Sequence, residues 1–122
     1  MRMNEKQALD AFAALSQETR LRIVKLLVAA GPEGMPAGVI GEEMGGASSS
    51  RISFHLSHLE QAGLLQSRRE GRSIIYSAAF PALSGLVEFL MRDCCHGHPE
   101  VCNPAVAALS SCCETEKVPA HV

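Results

Sequence analysis

The residues best equipped for chemistry cluster late in the chain. The stretch RDCCHGHPEVC, from Arg92 to Cys102, sets the adjacent pair Cys94 and Cys95 ahead of Cys102, with His96, His98 and Pro99 between them. A second adjacent pair, Cys112 and Cys113, follows, so all 5 cysteines of the 122-residue chain lie in this region. Thiolates are good nucleophiles and soft ligands. An odd number of cysteines, four of them in neighbouring pairs, makes a poor disulfide framework. Metal, metalloid or redox chemistry fits them better than a structural staple. Cysteine also serves as a small buried apolar residue, but two adjacent pairs and a fifth thiol in one short segment are more than that role needs.

The composition bounds what can carry this segment. With 47% hydrophobic residues, 4% aromatic and no Trp, the chain suits one compact domain with an aliphatic core, built from helices rather than a β-sandwich. The net charge of −2 is not that of a general polyanion binder, and only the placement of the basic residues bears on DNA. The start, MRMNEKQALDAF, is charged and amphipathic rather than a signal peptide. No apolar run is long enough to span a bilayer, and a cytoplasmic location is expected. No phosphate loop, Gly-x-Ser-x-Gly elbow or Cys-x-x-Cys at a strand–helix junction is present, so no enzyme is expected. A thiol enzyme or metallochaperone is the weaker alternative.

The elements that must position the thiols read as follows. Asn4 to Leu15 predicts a helix with Ala8, Phe12 and Leu15 on one face. Ser16 reads as the N-cap of the next helix, with Glu18 in its first turn. That helix, RLRIVKLLVAAG, is apolar around most of its circumference and stops at Gly31-Pro32. Pro36 opens a short third helix, AGVIGEEM, ending at Gly45-Gly46. Ser48 to Ala62 predicts a fourth, with Ile52, Leu56 and Leu59 as its buried stripe. Leu64–Arg69 and Ser73–Ser77 read as a hairpin around Glu70-Gly71. Phe80 to Met91 predicts a fifth long helix with a stripe of Leu83, Leu86, Val87 and Leu90. Asn103-Pro104 reads as the cap of a last short helix.

Short helix, glycine turn, helix and hairpin is the order of a winged helix-turn-helix. With Ile52, Leu56 and Leu59 inward, Ser49, Ser50, Ser53, Phe54 and Ser57 face outward or sideways, flanked by Arg51 and His58. Small hydroxyls at a helix N-terminus approach phosphates and base edges closely. The hairpin carries Arg68, Arg69 and Arg72 near its tip. Between Arg51 and Ala79 these and Arg51 face only Glu60 and Glu70, a local reversal of sign in an acidic chain. Taken singly, a serine-rich helix start or a solvated basic hairpin means little; the order of elements and the charge reversal together point to DNA.

ALSQETRLRIVKLL and SSSRISFHLSHLEQAGLLQSRREGRSIIYSA resemble the ArsR/SmtB family of metal- and metalloid-responsive repressors, over about Leu9 to Leu90. The resemblance implies a mostly α, homodimeric winged helix-turn-helix protein with a β-hairpin. Its first and last long helices would form the dimer interface, and it would leave operator DNA when an inducer binds. By motif position, Ser49, Ser50, Ser53 and Phe54 fall where the family contacts bases, whereas His55 reads as a packed helix residue.

Family members place their sensor sites variably. The third helix here lacks the cysteine pair of the founding arsenic sensors, and the fifth helix, FPALSGLVEFLMRD, lacks the histidine of the zinc sensors. Sensing is therefore expected at the C-terminal cysteines. Trivalent arsenic or antimony, organoarsenicals included, takes three thiolates, or two and another group, in a trigonal pyramid, whereas zinc prefers four ligands in a tetrahedron. Two arrangements are open. Cys94, Cys95 and Cys102 supply three sulfurs within one chain. Alternatively, a helix from Pro104 to Cys113 separates Cys102 from Cys112 by roughly 13–15 Å, and Cys102 of one subunit meets Cys112 or Cys113 of the other. His96 and His98 read first as solvent-exposed loop residues, although they would complete a zinc site. A thiol-redox or zinc/soft-metal-responsive repressor on the same fold is the alternative. The expected organisation is a DNA-binding and dimerisation domain over 1–93, an inducer-binding segment over 94–113 and a disordered tail over 114–122. No permanently bound cofactor is expected.

Overall fold

The computed structural model describes residues Met3–Met91 and Ala108. The five cysteines lie outside the described residues, as do the expectations for the last helix, the inducer segment and the tail.

Helix α1 (Glu5–Leu15) starts at a reciprocal cap. The Asn4 side chain accepts from the Gln7 backbone N–H at 2.7 Å, and the Gln7 side chain accepts from the Asn4 N–H at 2.9 Å. Of the expected face only Ala8 is fully buried; Ala11 and Ala14 complete the stripe, while Phe12 and Leu15 are half-buried. Small residues win this face because α1 packs directly on α2 and α4, where a larger side chain would hold the helices apart. Ser16 closes α1 instead of opening α2, its Oγ donating to the Ala13 carbonyl at 2.8 Å. Gln17 caps α2 (Glu18–Ala30), its side chain accepting from the Arg20 N–H at 3.0 Å. Helix α2 buries Arg20, Ile23, Val24 and Leu27 but exposes Leu21 and Val28, so its apolar surface is less enclosed than its sequence suggests.

Gly31 ends α2, and a 3₁₀ turn (Gly31–Glu33) leads to Gly34. Strand β1 (Met35–Pro36) follows, an element absent from the sequence reading. Gly34 has φ of +72°, and a Cβ there would sit 2.2 Å from the Tyr76 carbonyl oxygen, so only glycine fits this approach. Helix α3 (Ala37–Glu43) and helix α4 (Ser49–Gln61) are joined by a turn containing Gly45 and Gly46. Strands β2 (Leu65–Glu70) and β3 (Ser73–Ala78) form the expected hairpin, paired antiparallel from Leu65↔Ala78 to Glu70↔Ser73. β1 adds to the other side of β3, with Met35↔Tyr76 and Pro36↔Ile75, giving the order β1-β3-β2. Proline is tolerated there because β1 is an edge strand.

Ile23, Leu27, Ile40, Ile52, Leu56, Leu59 and Leu64 are the largest fully buried side chains, so the core described is aliphatic. The chain divides into two units between Leu86 and Val87. Helix α5 (Phe80–Phe89) buries Ala82, Gly85 and Leu86, with Leu83 half-buried. Val87 and Leu90, expected on the same stripe, are exposed within the chain. Among the described residues no helix is long and apolar enough to cross a membrane.

Candidate nucleic-acid interface

Helix α4 is built to hold one face still and present another. Ser48 caps it by accepting from the Arg51 N–H at 3.3 Å. Gly45 and Gly46, at φ of +84° and +78°, turn the chain sharply enough to bring α3 against α4. Ile52, His55, Leu56 and Leu59 are buried against the surrounding elements. Burying each of the three aliphatic side chains is worth about 1.5–3 kcal/mol. The opposite surface carries Ser49, Ser50, Ser53, Phe54 and Ser57, all exposed, with Arg51 and His58 also exposed. This is the expected helix phase. The three outward hydroxyls and the aromatic ring lie on one continuous strip, because Ser50, Ser53, Phe54 and Ser57 repeat at i, i+3, i+4 and i+7. Phe54 stands 63% exposed, the most exposed large apolar side chain described.

His55 is the packed residue expected, and the structure supplies the partner that sequence reasoning missed. Arg20, 9% exposed on α2, donates from Nε to the Ala14 carbonyl at 2.7 Å and lies 3.3 Å from His55 Nδ1 through its NH1. Arginine has no acceptor, so Nδ1 must accept and the ring's proton sits on Nε2. Burial holds the His55 imidazole below the usual histidine range, and the positive charge of Arg20, with lesser contributions from Arg51 and His58, acts in the same direction. The ring is neutral at pH 7, as the hydrogen bond requires. The signal was present in the helical phase: Arg20 aligns with Ile23, Val24 and Leu27 on the buried face of α2.

The hairpin separates the three wing arginines. Arg68 is already engaged, donating from Nε to the Glu70 carboxylate at 2.7 Å and from NH2 to the Glu33 carbonyl at 2.8 Å. It braces the wing against the 3₁₀ turn. Arg69 and Arg72 are exposed and make no ion pair among the described residues. Glu60, the other acidic residue nearby, accepts from Ser67 Oγ at 2.8 Å, and its charge adds to burial in raising the Tyr76 phenol. A hydroxyl-lined helix and two uncommitted guanidinium groups at a hairpin tip suit a phosphate backbone and a groove. Among the described residues there is no group of three or more His, Cys, Asp or Glu that would hold a metal.

The comparisons agree with this geometry. Residues 15–68 match a helix-turn-helix domain family. The chain is 33% identical over 76 residues to a probable mercury resistance operon repressor of Streptomyces lividans, a match covering 62% of this chain and 58% of that protein, so the chain spans under two thirds of that relative. It is 30% identical over 95 residues to the HTH-type transcriptional regulator YgaV of Escherichia coli, covering 78% of this chain and 93% of YgaV. A solved homodimeric winged helix-turn-helix DNA-binding domain from Mycobacterium bovis, described as a possible ArsR-family transcriptional regulator, superposes with a TM-score of 0.56 at 30% identity, covering 76% of this chain and 87% of that one. The outward strip of α4 thus sits on a known DNA-reading scaffold, and the chain belongs to the ArsR/SmtB family of DNA-binding transcriptional regulators.

Proposed function

We propose that the chain is a homodimeric repressor that holds operator DNA through α4 and the wing and releases it when trivalent antimony or arsenic binds C-terminal thiolates. The observation that carries the DNA half is the exposed strip of α4 beside the uncommitted Arg69 and Arg72. Ser49, Ser50, Arg51, Ser53, Phe54 and Ser57 would face the major groove, and Arg69 and Arg72 the flanking backbone. Arg68 contributes chiefly by bracing the hairpin. The homodimeric relative supports the assembly, since two reading heads are needed to span a symmetric operator.

The inducer half rests on the chemistry of Cys94, Cys95, Cys102, Cys112 and Cys113. Thiolates select thiophilic ions, and a three-coordinate metalloid is satisfied by three of them. The mercury-linked name of the Streptomyces relative favours a second reading on the same residues, a soft divalent metal as inducer. Fluorescence anisotropy with a duplex from the protein's own upstream promoter tests both halves. The protein should bind, and antimonite or arsenite should release it. Cys102→Ser should still bind DNA but no longer respond, because a hydroxyl is a poor ligand for these ions. Cys94→Ser and Cys95→Ser distinguish a site within one chain from one across the dimer, which Cys112→Ser and Cys113→Ser would disable. Release by mercuric ion alone selects the second reading, and release by peroxide alone selects thiol oxidation. A Cys102→Ser protein that responds normally to metalloid overturns the proposal.

A further inference from the structure

We infer that Phe54 reads the C5-methyl group of a thymine, an apolar base contact made from the outward face of α4. The inference rests on the DNA-binding reading above and says what that surface recognises.

The argument starts from an exposed phenyl ring that the fold leaves in water. Phe54 is 63% exposed, although Ile52 and Leu56 on the same helix are 2% and 0% exposed. Its ring is not free to fold back. It makes an edge contact to His55, with centroids 5.6 Å apart at 63°, and another to His58, at 6.1 Å and 80°. His55 is itself held by Arg20. The ring is therefore presented beside two imidazoles on the side of α4 away from the core.

Its neighbours decide what it can recognise. On the outward strip, Ser50, Ser53 and Ser57 surround it with short hydroxyls. Gln61 is the final residue of α4, and Arg51 flanks the strip rather than lying at its centre. Arg51, three residues before Phe54, and His58, four after it, border the ring on its other side, so Phe54 supplies an apolar contact between polar ones.

The base edges of the major groove then leave one partner. Guanine offers two acceptors, cytosine an amino donor, adenine an acceptor and a donor, and thymine an acceptor with a methyl group. A phenyl ring can neither donate nor accept in the plane of a base. Set against a polar edge, it strips that edge of water and returns no hydrogen bond, a net cost. Set against the thymine methyl, it buries apolar surface on both sides. The flanking serine hydroxyls fit any base edge, and so add affinity without much choice.

The experiment uses the full chain and a random-sequence duplex pool. The bound duplexes are enriched, and the selected site is remade with 2′-deoxyuridine in place of each thymidine in turn, which removes only the methyl. Affinities are measured by anisotropy at one salt concentration. A substitution in one half-site only should weaken wild-type binding about fourfold, the worth of one buried methyl-sized group. With both half-sites substituted the loss should be about 15-fold. Phe54→Ala should bind the thymine and uracil duplexes alike, whereas Phe54→Leu should retain part of the preference. An enriched site with no uracil-sensitive position, or one whose sensitivity survives Phe54→Ala, overturns the inference and leaves DNA binding standing. A pool that yields no bound sequence overturns the DNA-binding reading with it.

Discussion

Replacing Arg20 by methionine tests the link that anchors the DNA-reading helix. The variant keeps a long side chain but removes both hydrogen bonds of the guanidinium. Two buried acceptors are left behind, the Ala14 carbonyl that receives Nε at 2.7 Å and His55 Nδ1, 3.3 Å from NH1. An unsatisfied buried acceptor costs about 1–3 kcal/mol. The Ala14 bond is the shorter and belongs near the upper part of that range; the His55 bond is longer and belongs near the lower. Against this, a buried guanidinium with no carboxylate partner among the described residues carries a desolvation cost that the variant relieves. The net destabilisation should be about 2–3 kcal/mol, a large share of the stability of a small domain. Urea unfolding of wild type, Arg20→Met, His55→Leu and the double variant measures it. Because Arg20 and His55 share one bond, the double variant should lose about 1 kcal/mol less than the sum of the singles. Strict additivity, or an Arg20→Met protein within about 0.5 kcal/mol of wild type, would refute the link.

Other outcomes follow from the same geometry. The folded-state pKa of His55 is lowered, so between that value and the unfolded-chain value of about 6.5 the unfolded chain binds the extra proton. Stability should therefore rise with pH through that window and level off above it, with a slope from this residue of at most about 1.4 kcal/mol per pH unit; His55→Leu should flatten it in pH-dependent urea titrations. Arg69→Ala and Arg72→Ala should each weaken binding to all duplexes alike and, with one such arginine on each wing of the dimer, reduce the slope of log affinity against log salt by about 2, with thermal stability unchanged; an unaltered slope places the wing away from phosphate. Gly31→Ala and Gly34→Ala both place a side chain at a backbone conformation that favours glycine, costing about 1–3 kcal/mol, but only at Gly34 does the Cβ also meet the Tyr76 carbonyl, so Gly34→Ala should lower the melting temperature further, by about 10 °C or more for an added loss of about 2 kcal/mol; equal effects would refute the close approach.

What the sequence disclosed and what it concealed divide along physical lines. Helix α4 was legible because Ile52, Leu56 and Leu59 are large, apolar and correctly spaced, and a stripe of that kind leaves its serines and Phe54 outside. The hairpin was legible from Glu70-Gly71 between two strand-like runs, and the pairing runs to Glu70↔Ser73, one residue beyond the expected strand end at Arg69. Helix α1 misled because hydrophobic patterning weights Phe12 and Leu15 over Ala11 and Ala14, while close helix packing selects the small residues. Strand β1 was hidden because it spans only Met35–Pro36 and proline argues against a strand; its pairing comes from the approach that Gly34 permits. The division of labour among Arg68, Arg69 and Arg72 depends on the Glu33 carbonyl, distant in sequence and brought close only by the fold. The case for the thiols rests on their chemistry and spacing in the sequence.

The Arg20 link also bears on how the proposed induction would reach the helix that carries Phe54. Ala14 lies in the last turn of α1, Arg20 in the first turn of α2 and His55 at the middle of α4. One side chain thus fastens three helices, and one of the bonds ends on the helix that carries Phe54. A displacement of α1 against α2 must stretch the Ala14 bond or carry Arg20 with it, and carrying Arg20 pulls on His55. A 100-fold change in operator affinity corresponds to about 2.7 kcal/mol, the same size as the cost of breaking both bonds. The link is therefore of the same size as the differential affinity that the proposed inducer would have to supply. A core contact between Leu56 and its aliphatic neighbours behaves differently, since it is spread over many atoms and shifts little with small movements. A hydrogen bond of 3.3 Å between a fixed guanidinium and a fixed ring is lost within a fraction of an ångström. If α1 moves on induction, this pair is where the movement first reaches the DNA-reading surface.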